Sequence, residues 1–273
     1  MTRTIIAVHG ATGTQGSPVV RRLRALGHQV RPLNSASADL ADATSLAAAY
    51  KGADAVVVQL PQVFGEIALR HAASVLAALC EAAVSRVVFN PGMPLPPDPV
   101  GVPFVDARVL FARDLPARVE AASVIGPAGP YLENLVQPWS ARRVREHGEL
   151  VYPLPAEAPV PWSALDDLAE AVGEALACAE PPARLVVTGP EDATGDRLAA
   201  AVASAAGRPV RYLWVEPAEY ARLITPVVGR EAAEGIAGFY APAAAAAPPP
   251  IPEGWLHRGT TTVERWAARQ AWR

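Results

Sequence analysis

Continuous apolar runs and amphipathic stretches alternate along the first half of the chain. The apolar runs lie at residues 4–8, 30–33, 55–60 and 86–89. Stretches with helical spacing of apolar positions separate them, at residues 17–26, 42–50 and 67–83. Strands that are apolar throughout are typical of parallel sheets covered on both faces, and strands alternating with helices form right-handed βαβ units. The pattern predicts an α/β fold with a doubly wound parallel sheet, and Asp42 or Thr44 as the cap of the second helix.

This alternation breaks after residue 90. Residues 93–103 are dense in proline, which excludes a helix or a central strand. Because ligands of open α/β sheets bind beyond the carboxyl ends of strands, this loop is either a wall of a ligand pocket or a plain connection. A helix around 106–115 and a strand around 123–125 are predicted to follow.

Shorter mixed elements are predicted from about residue 153 onward. They are a helix ending at 177, a strand at 185–188, a helix at 196–206 and a strand at 210–215. Asp166 or Asp167 is expected to cap the first of these helices. Residues 243–252 are low in complexity and predict an extended surface segment, whereas the amphipathic tail at 262–272 is expected to pack back on the body.

Composition and charge narrow the class of protein. The 273 residues are enough for one large α/β domain or for two smaller ones. With 24 basic and 27 acidic residues the net charge is -3 and no basic stripe is present, which argues against nucleic acid as a partner. No apolar run reaches the roughly 18 residues of a membrane span, and no signal peptide precedes the first strand. We therefore expect a cytoplasmic protein without a membrane partner.

The cysteines and histidines do not indicate a metal centre. Cys80 and Cys178 lie far apart on predicted helical segments, where buried, reduced thiols are expected. No His, Cys and carboxylate residues have the spacing of metal ligands, so no metal is expected. His9 is expected to fill a strand-end position without a catalytic role.

A glycine-rich turn after the first strand carries the strongest chemical signal. Gly10, Gly13 and Gly16 follow a buried strand and open a helix. Residues without side chains permit a tight turn, let a diphosphate approach the backbone and let helix and strand pack closely. The free N–H groups and partial positive charge of the helix N-terminus then face the phosphates. We predict that this turn, with Thr12, Thr14 and Gln15, binds a dinucleotide.

The Gly-x-x-Gly-x-x-Gly spacing, with Ala11 and Thr12 inside it, resembles the short-chain dehydrogenase superfamily. Further stretches resemble its NmrA-like branch, in order at residues 27–31, 39–40, 52–56, 131–134, 160–162, 167–169, 188–191, 207–210 and 263–266. The resemblance implies a Rossmann domain for NAD(P) at residues 1–152. It also implies a smaller substrate-binding α/β part at 153–273, and the chain is free to cross between the two.

The residues after the second strand bear on the choice of cofactor. Rossmann proteins that prefer NAD usually carry an acid there for the ribose hydroxyls, but this chain has Asn34 and Ser35. NADPH-binding relatives commonly place an Arg where Ser35 aligns, so the chain departs from their pattern. Arg31 either compensates or is a solvated strand residue. The resemblance favours NADP(H) and leaves NAD(H) open.

Other cofactor contacts follow from the resemblance and from position at strand ends. Asp39 and Leu40 resemble the pair beside the adenine ring. Two strand-end tripeptides are expected to flank the ribose and nicotinamide, unless they are plain loops: Gln59, Leu60 and Pro61, and Asn90, Pro91 and Gly92.

The superfamily's Tyr-x-x-x-Lys pair cannot exist here, because Lys51 is the only lysine and follows Tyr50 directly. Arg108 occupies the position that resembles the family's later lysine. The resemblance implies that Arg108 binds ribose hydroxyls or stabilises an oxyanion, although arginine is a poor proton donor. Losing a general acid costs roughly 10²–10⁴ in rate, which penalises reduction of an ordinary ketone more than reduction of a quinone to a weakly basic phenolate.

The predicted function is therefore an NAD(P)H-dependent oxidoreductase for a small aromatic or quinonoid substrate. The resemblance adds a role in bacterial aromatic polyketide biosynthesis, and it places Tyr131 and Asn134 at the nicotinamide end as catalytic candidates. Trp162, Trp139 and Tyr240 are further pocket candidates, with core packing as the alternative for every aromatic. A non-catalytic NADP(H) sensor that binds a partner protein, and an enzyme that couples or rearranges polyketides, remain alternatives. A homodimer is compatible with the sequence.

Overall fold

The computed structural model describes residues 4–34, 37–241 and 250–272. Ser35 and most of the low-complexity stretch at 243–252 lie outside the described residues, so the predictions for them stay predictions.

A parallel sheet forms the centre of the fold. Nine strands are described: β1 (Ile5–His9), β2 (Gln29–Leu33), β3 (Ala55–Gln59), β4 (Arg86–Asn90), β5 (Ala121–Pro127), β6 (Glu149–Tyr152), β7 (Arg184–Thr188), β8 (Arg211–Trp214) and β9 (Leu256–Arg258). Seven of them form one sheet in the order β2-β1-β3-β4-β5-β7-β9, and the pairings from β2 through β7 are parallel. The order reverses direction at β1, which places the β1 carboxyl end at the topological switch point where such sheets bind ligands.

In the described residues, ten α-helices connect and flank the strands. They are α1 (Gly16–Ala25), α2 (Ala43–Tyr50), α3 (Ile67–Glu81), α4 (Pro103–Asp114), α5 (Pro138–His147), α6 (Leu165–Ala177), α7 (Gly195–Ala206), α8 (Pro217–Val228), α9 (Arg230–Gly238) and α10 (Val263–Ala267). Asp42 caps α2, because its side chain accepts hydrogen bonds from the N–H groups of Thr44 and Ser45. The prediction of Asp42 or Thr44 as the cap is confirmed for Asp42.

The strands are apolar throughout because both faces of the sheet are covered. On one face Ala7, Val56 and Phe89 pack in a core with residues of α2, α3 and α4, among them Leu46 and Phe111. The alternate strand positions Ile6, Val8, Val57 and Val88 are also buried, and α1 and α6 pack against one another beside strands β1, β4 and β5. The predicted doubly wound α/β fold is confirmed.

The chain divides by its contacts into two compact units. The first comprises Met1–Pro127, Leu165–Val187 and Glu253–His257, and the second comprises Ala128–Ala164, Thr188–Pro252 and Arg258–Arg273. Residues 128–152 thus group with the second unit, whereas the sequence analysis ended the first domain at 152. The chain passes from one unit to the other more than once, and the predicted functional division at 152 stays a prediction.

The second unit has a small parallel sheet of its own, formed by β6 and β8. Glu149 at the start of β6 accepts from Arg211 of β8 at 2.6 Å and also pairs with Arg143 of α5. The hydrogen bonds from these two arginines hold the pKa of the Glu149 carboxyl below its ordinary value. The ion pairs therefore tie the start of this sheet to α5.

Several predictions about single residues were wrong. Asp166 and Asp167 lie inside the first turn of α6 and are not its cap, although acids there still favour the positive end of the helix. Cys80 and Cys178 are free thiols, but both are exposed.

Within the described chain every helix is too short or too polar to span a lipid bilayer.

Candidate functional site

The turn between β1 and α1 is built on backbone contacts that only glycine permits. Gly10 has a φ of +57°, in the left-handed region. The Gly13 N–H donates to the Gly10 carbonyl at 2.9 Å, and a Cβ on Gly16 would lie 2.2 Å from that same oxygen. Any side chain at position 16 therefore collides with the backbone of position 10, which fixes α1 close against the end of β1.

This turn presents a helix N-terminus suited to an anion. No side chain caps α1, and no acidic residue lies in its first turn. Thr12, Gly13 and Thr14 are exposed, so the approach to the turn is open. Uncapped N–H groups and the positive end of the helix dipole together bind phosphate. The residues present thus fit the diphosphate of a dinucleotide.

A buried hydrogen bond between His9 and Tyr50 holds the end of β1, the residue before the turn, in place. His9, the residue before Gly10, lies 2.6 Å through Nε2 from the Tyr50 hydroxyl, and both side chains are buried. Burial lowers the pKa of His9 from 6.5 to about 4, so the ring is neutral at pH 7. Burial also raises the pKa of the Tyr50 hydroxyl. The pair joins the end of β1 to the end of α2, and His9 has the structural environment that the sequence analysis expected.

Side-chain amides gather at the carboxyl ends of β3 and β4, beside the glycine turn. Asn90 Nδ2 donates to Gln15 Oε1 at 3.0 Å, and Asn90 Oδ1 accepts from the Gly92 N–H at 2.8 Å. Gln59 is the register partner of Asn90, and its Nε2 is buried without an acceptor. A buried donor without an acceptor costs free energy of folding. The Gln59 amide is therefore a candidate to donate a hydrogen bond to an oxygen of a bound ligand.

The residues predicted to choose between NAD(H) and NADP(H) are engaged in local structure. Arg31 donates to the carbonyls of Ala49 at 2.7 Å and Lys51 at 2.9 Å, which satisfies the end of α2. Asn34 Oδ1 accepts from the Ser37 N–H, and Asp39 Oδ1 accepts from the Ala41 N–H. Leu40 packs against the sheet core. In this arrangement Arg31 is directed at α2, so its predicted compensation for a missing arginine would require it to leave two hydrogen bonds.

Arg108 lies in α4 and is only 2% exposed. It donates to backbone carbonyls of the first unit, at Leu60, Pro61, Pro91 and Phe104. This environment differs from the direct contact with a ribose or an oxyanion that the sequence analysis predicts for Arg108.

Of the two predicted catalytic residues of the second unit, both are shielded from solvent to some degree, and Asn134 contacts a buried aromatic cluster. Tyr131 is 3% exposed, and Asn134 Nδ2 donates to the Tyr152 hydroxyl at 3.1 Å. The Tyr152 hydroxyl also lies 2.5 Å from that of Tyr240, and Trp162 packs edge-on against the Tyr152 ring. Burial raises the pKa of the Tyr152 hydroxyl above its ordinary value and that of Tyr240 to about 12. Tyr152 was missed by the sequence analysis because no motif marks it.

The second unit also contains an apolar cleft of about 470 Å³. It lies at the carboxyl ends of β6 and β8 and against α8 and α9, with Pro153, Trp214, Glu216, Ala221, Ala237 and Tyr240 among its lining residues. Its volume falls in the range of small-molecule sites. Trp139, another pocket candidate, instead packs in a neighbouring core and donates from Nε1 to the Tyr220 hydroxyl at 3.1 Å.

Comparison with known proteins decides the family. The model of the NmrA-like family matches residues 33–258. The chain belongs to the NmrA-like family. It is also 32% identical over 231 residues to an NAD(P)H azoreductase of Xenophilus azovorans, a match that covers 77% of this chain and 76% of that protein.

Solved structures of low sequence identity share the fold of this NmrA-like protein. An NADPH-dependent quinone oxidoreductase of Escherichia coli, complexed with NADPH, superposes with a TM-score of 0.70 at 21% identity, covering 96% of this chain and 98% of that one. A triphenylmethane reductase of Citrobacter sp., complexed with NADP(H), gives a TM-score of 0.64 at 19% identity, covering 89% of this chain and 92% of that one.

Within residues 4–34, 37–241 and 250–272, His, Cys, Asp and Glu form no group that could hold a metal ion.

The geometry of the turn predicts the effect of a side chain at Gly13. A Cβ there would lie 3.3 Å from the Gly10 carbonyl oxygen, and the two methyl groups of valine would add further bulk at this exposed turn. We expect excess NADPH to raise the melting temperature of the native protein, and Gly13→Val to fold but show no such rise. Gly254→Ala is the control, since a Cβ at that position meets nothing within 4 Å. A Gly13→Val protein stabilised by NADPH as strongly as the wild type would contradict this role of the turn.

The buried His9 predicts a pH dependence of stability. Its folded pKa of about 4 lies below the unfolded value of 6.5, so its contribution is complete above pH 6.5 and is lost as the pH falls to 4. Across that range the wild type should lose about 3 kcal/mol of unfolding free energy more than His9→Gln, whose side chain does not titrate. Urea titrations at several pH values measure this difference. Parallel pH profiles for the two proteins would rule out the burial of a neutral ring.

Proposed function

We propose that this NmrA-like protein is an NAD(P)H-dependent oxidoreductase that reduces quinones or related aromatic compounds. The observation that carries the proposal is the uncapped N-terminus of α1 behind a turn in which Gly16 cannot bear a side chain. The names of its relatives support the same class, because the azoreductase, the quinone oxidoreductase and the triphenylmethane reductase are all reductases of aromatic compounds.

Each group of residues in the first unit has a defined task. The turn at residues 10–16 binds the diphosphate through its N–H groups. The amides of Gln59 and Asn90, at the carboxyl ends of neighbouring strands, and that of Gln15, in the turn, orient the ribose and nicotinamide half. A bound reduced nicotinamide supplies the hydride. The protein therefore contributes binding and orientation, which can account for a large part of a rate enhancement.

NADP(H) is the favoured cofactor because the end of β2 carries no carboxylate that would repel a 2′-phosphate. Asn34 stands where proteins that prefer NAD usually have an acid. The two hydrogen bonds from Arg31 to the end of α2 weaken the case for a strong preference. We therefore expect NADPH to bind more tightly than NADH by a small factor, with both accepted.

An aromatic or quinonoid substrate suits the residues available for proton transfer. A Tyr-x-x-x-Lys pair is absent from the sequence. The buried Tyr152 hydroxyl has a raised pKa, which makes it a weak acid. Reduction of a quinone forms a phenolate of low basicity and needs little help from an acid. The apolar cleft with Trp214 and Tyr240 offers flat rings on which a planar substrate can stack.

The finer predictions stay proposals. Catalytic roles for Tyr131 and Asn134 and a place in polyketide biosynthesis rest on the resemblance alone. A cytoplasmic location and a homodimer are expectations from the sequence. A non-catalytic NADP(H) sensor is the second class of function, and turnover separates it from a reductase.

The test of the proposed function is NADPH oxidation with a panel of quinones and azo dyes. We expect loss of the reduced-nicotinamide absorbance with at least one acceptor, and no such loss for Gly13→Val under the same conditions. Tight NADPH binding without turnover of any acceptor would favour the sensor. Turnover by Gly13→Val at the wild-type rate would show that the activity does not depend on the glycine turn.

The cleft gives a prediction about substrate affinity. Trp214 is 44% exposed and lines the cleft, so its replacement removes a stacking surface. Trp214→Ala should raise KM for an aromatic acceptor by about tenfold, as loss of one aromatic contact commonly does, and leave the Kd of NADPH unchanged. Trp255→Ala is the matched control, because Trp255 is similarly exposed at 39% and lies in the first unit. An unchanged KM for Trp214→Ala would show that the cleft does not bind the aromatic acceptor.

A further inference from the structure

Arg108 is a buried cation that the proposed chemistry does not use. Its guanidinium makes hydrogen bonds of 2.9–3.0 Å to four backbone carbonyls, those of Leu60, Pro61, Pro91 and Phe104. Burial lowers its pKa to about 9, which leaves it charged at neutral pH. Among the ion pairs of the described chain none includes Arg108, so the carbonyl dipoles are what stabilise its charge.

Stacked rings hold the guanidinium in place. Its Cζ lies 3.6 Å from the centroid of the Phe104 ring, one turn earlier in α4. Phe104 in turn stacks on Phe64 with centroids 4.6 Å apart and planes inclined by 14°. Phe64 belongs to the segment after β3. The cation–π contact and the ring pair therefore add a second connection between α4 and that segment.

Three of the four carbonyls belong to loops that follow neighbouring strands, and the fourth, that of Phe104, lies in α4 itself. Leu60 and Pro61 follow β3, and Pro91 follows β4, so Arg108 joins what we call the strand-end loops, residues 60–64 and 91–95. Proline has no N–H, so neither Pro61 nor Pro91 can donate a backbone hydrogen bond of its own to fix its loop. One planar group with five donors satisfies their carbonyls at the same time.

We propose that Arg108 is a positioning residue that holds the two strand-end loops in the geometry that binds the nicotinamide half of the cofactor. The inference rests on the proposed function, because the loops flank nicotinamide only if the glycine turn holds the diphosphate. Arg108 contacts neither cofactor nor substrate in this account. Gln59 and Asn90, which precede the loops, and Gly92, which lies in the second loop, make those contacts instead.

The inference predicts a loss of affinity confined to one half of the cofactor. In Arg108→Gln the carbonyls of both loops lose their shared donor, so the loops separate from α4 while the glycine turn is untouched. The Kd and KM of NADPH should rise by about tenfold or more, the equivalent of one or two charged hydrogen bonds. The Kd of ADP, which reaches the adenosine and diphosphate positions only, should stay within about twofold of the wild type.

Three further variants make the test specific. Arg108→Lys keeps the charge but cannot span the carbonyls, so it should show the same pattern to a smaller extent and guards against misfolding of the glutamine variant. Phe64→Leu keeps the guanidinium and removes the ring pair, and should weaken NADPH by about two- to threefold without affecting ADP. Arg113→Gln is the control, because Arg113 lies on the same helix but pairs only with Asp114 at the surface.

Hydrogen exchange provides a readout that needs no cofactor. Amides of residues 62–64 and 92–93 should exchange faster in Arg108→Lys than in the wild type, while those of β1 and α1 should not change.

The outcomes separate the alternatives. An unchanged Kd of NADPH with a kcat lower by about 10²–10³ would make Arg108 a catalytic residue and overturn the positioning role. Equal weakening of NADPH and ADP would show a general loss of structure and would also overturn it. If the wild type itself binds neither ligand, the proposed function fails before the variants are compared.

Discussion

The fold of this chain around its site depends on one close backbone approach, between position 16 and the carbonyl of position 10. A Cβ at Gly16 would lie 2.2 Å from that oxygen, so α1 can start here only if the residue has no side chain. Once α1 starts at this point, its N-terminus lies at the switch point of the sheet, and no side chain caps it. The proposed anion site is therefore a consequence of how β1 and α1 pack together.

Other interactions of the first unit keep that edge of the sheet in place. The buried pair of His9 and Tyr50 fixes the residue before the turn, and Gln15 and Asn90 join the turn to the end of β4. Arg108 satisfies carbonyls after β3 and β4 from within α4. Hydrogen bonds of this kind, shielded from water, position groups more rigidly than exposed ones. His9, Tyr50 and Arg108 thus hold this edge of the sheet in place, and Gln15 and Asn90 are the side chains proposed to contact the cofactor there.

Sequence reasoning predicted the parts of this structure that depend on local pattern. Strands β1 to β4 were predictable because burial on both faces makes them apolar throughout, and the glycine turn because its spacing follows from sterics. Helix α8 was missed because Pro226 lies inside it, although a helix can accommodate proline when packing compensates. The partners of Arg31 and Arg108 could not be predicted, since they are carbonyls brought near by the tertiary fold. The buried Tyr152 was missed for the same reason, because its neighbours Asn134 and Tyr240 come from distant segments.

A crystal structure of the chain with NADPH tests the central claim most directly. The account predicts diphosphate oxygens within hydrogen-bonding distance of the N–H groups at the start of α1, and the nicotinamide ring beside the ends of β3 and β4. The turn itself should keep the φ of Gly10 and its approach to Gly16. Cofactor bound elsewhere, or a turn whose N–H groups are covered by the protein's own side chains at saturating NADPH, would contradict the account.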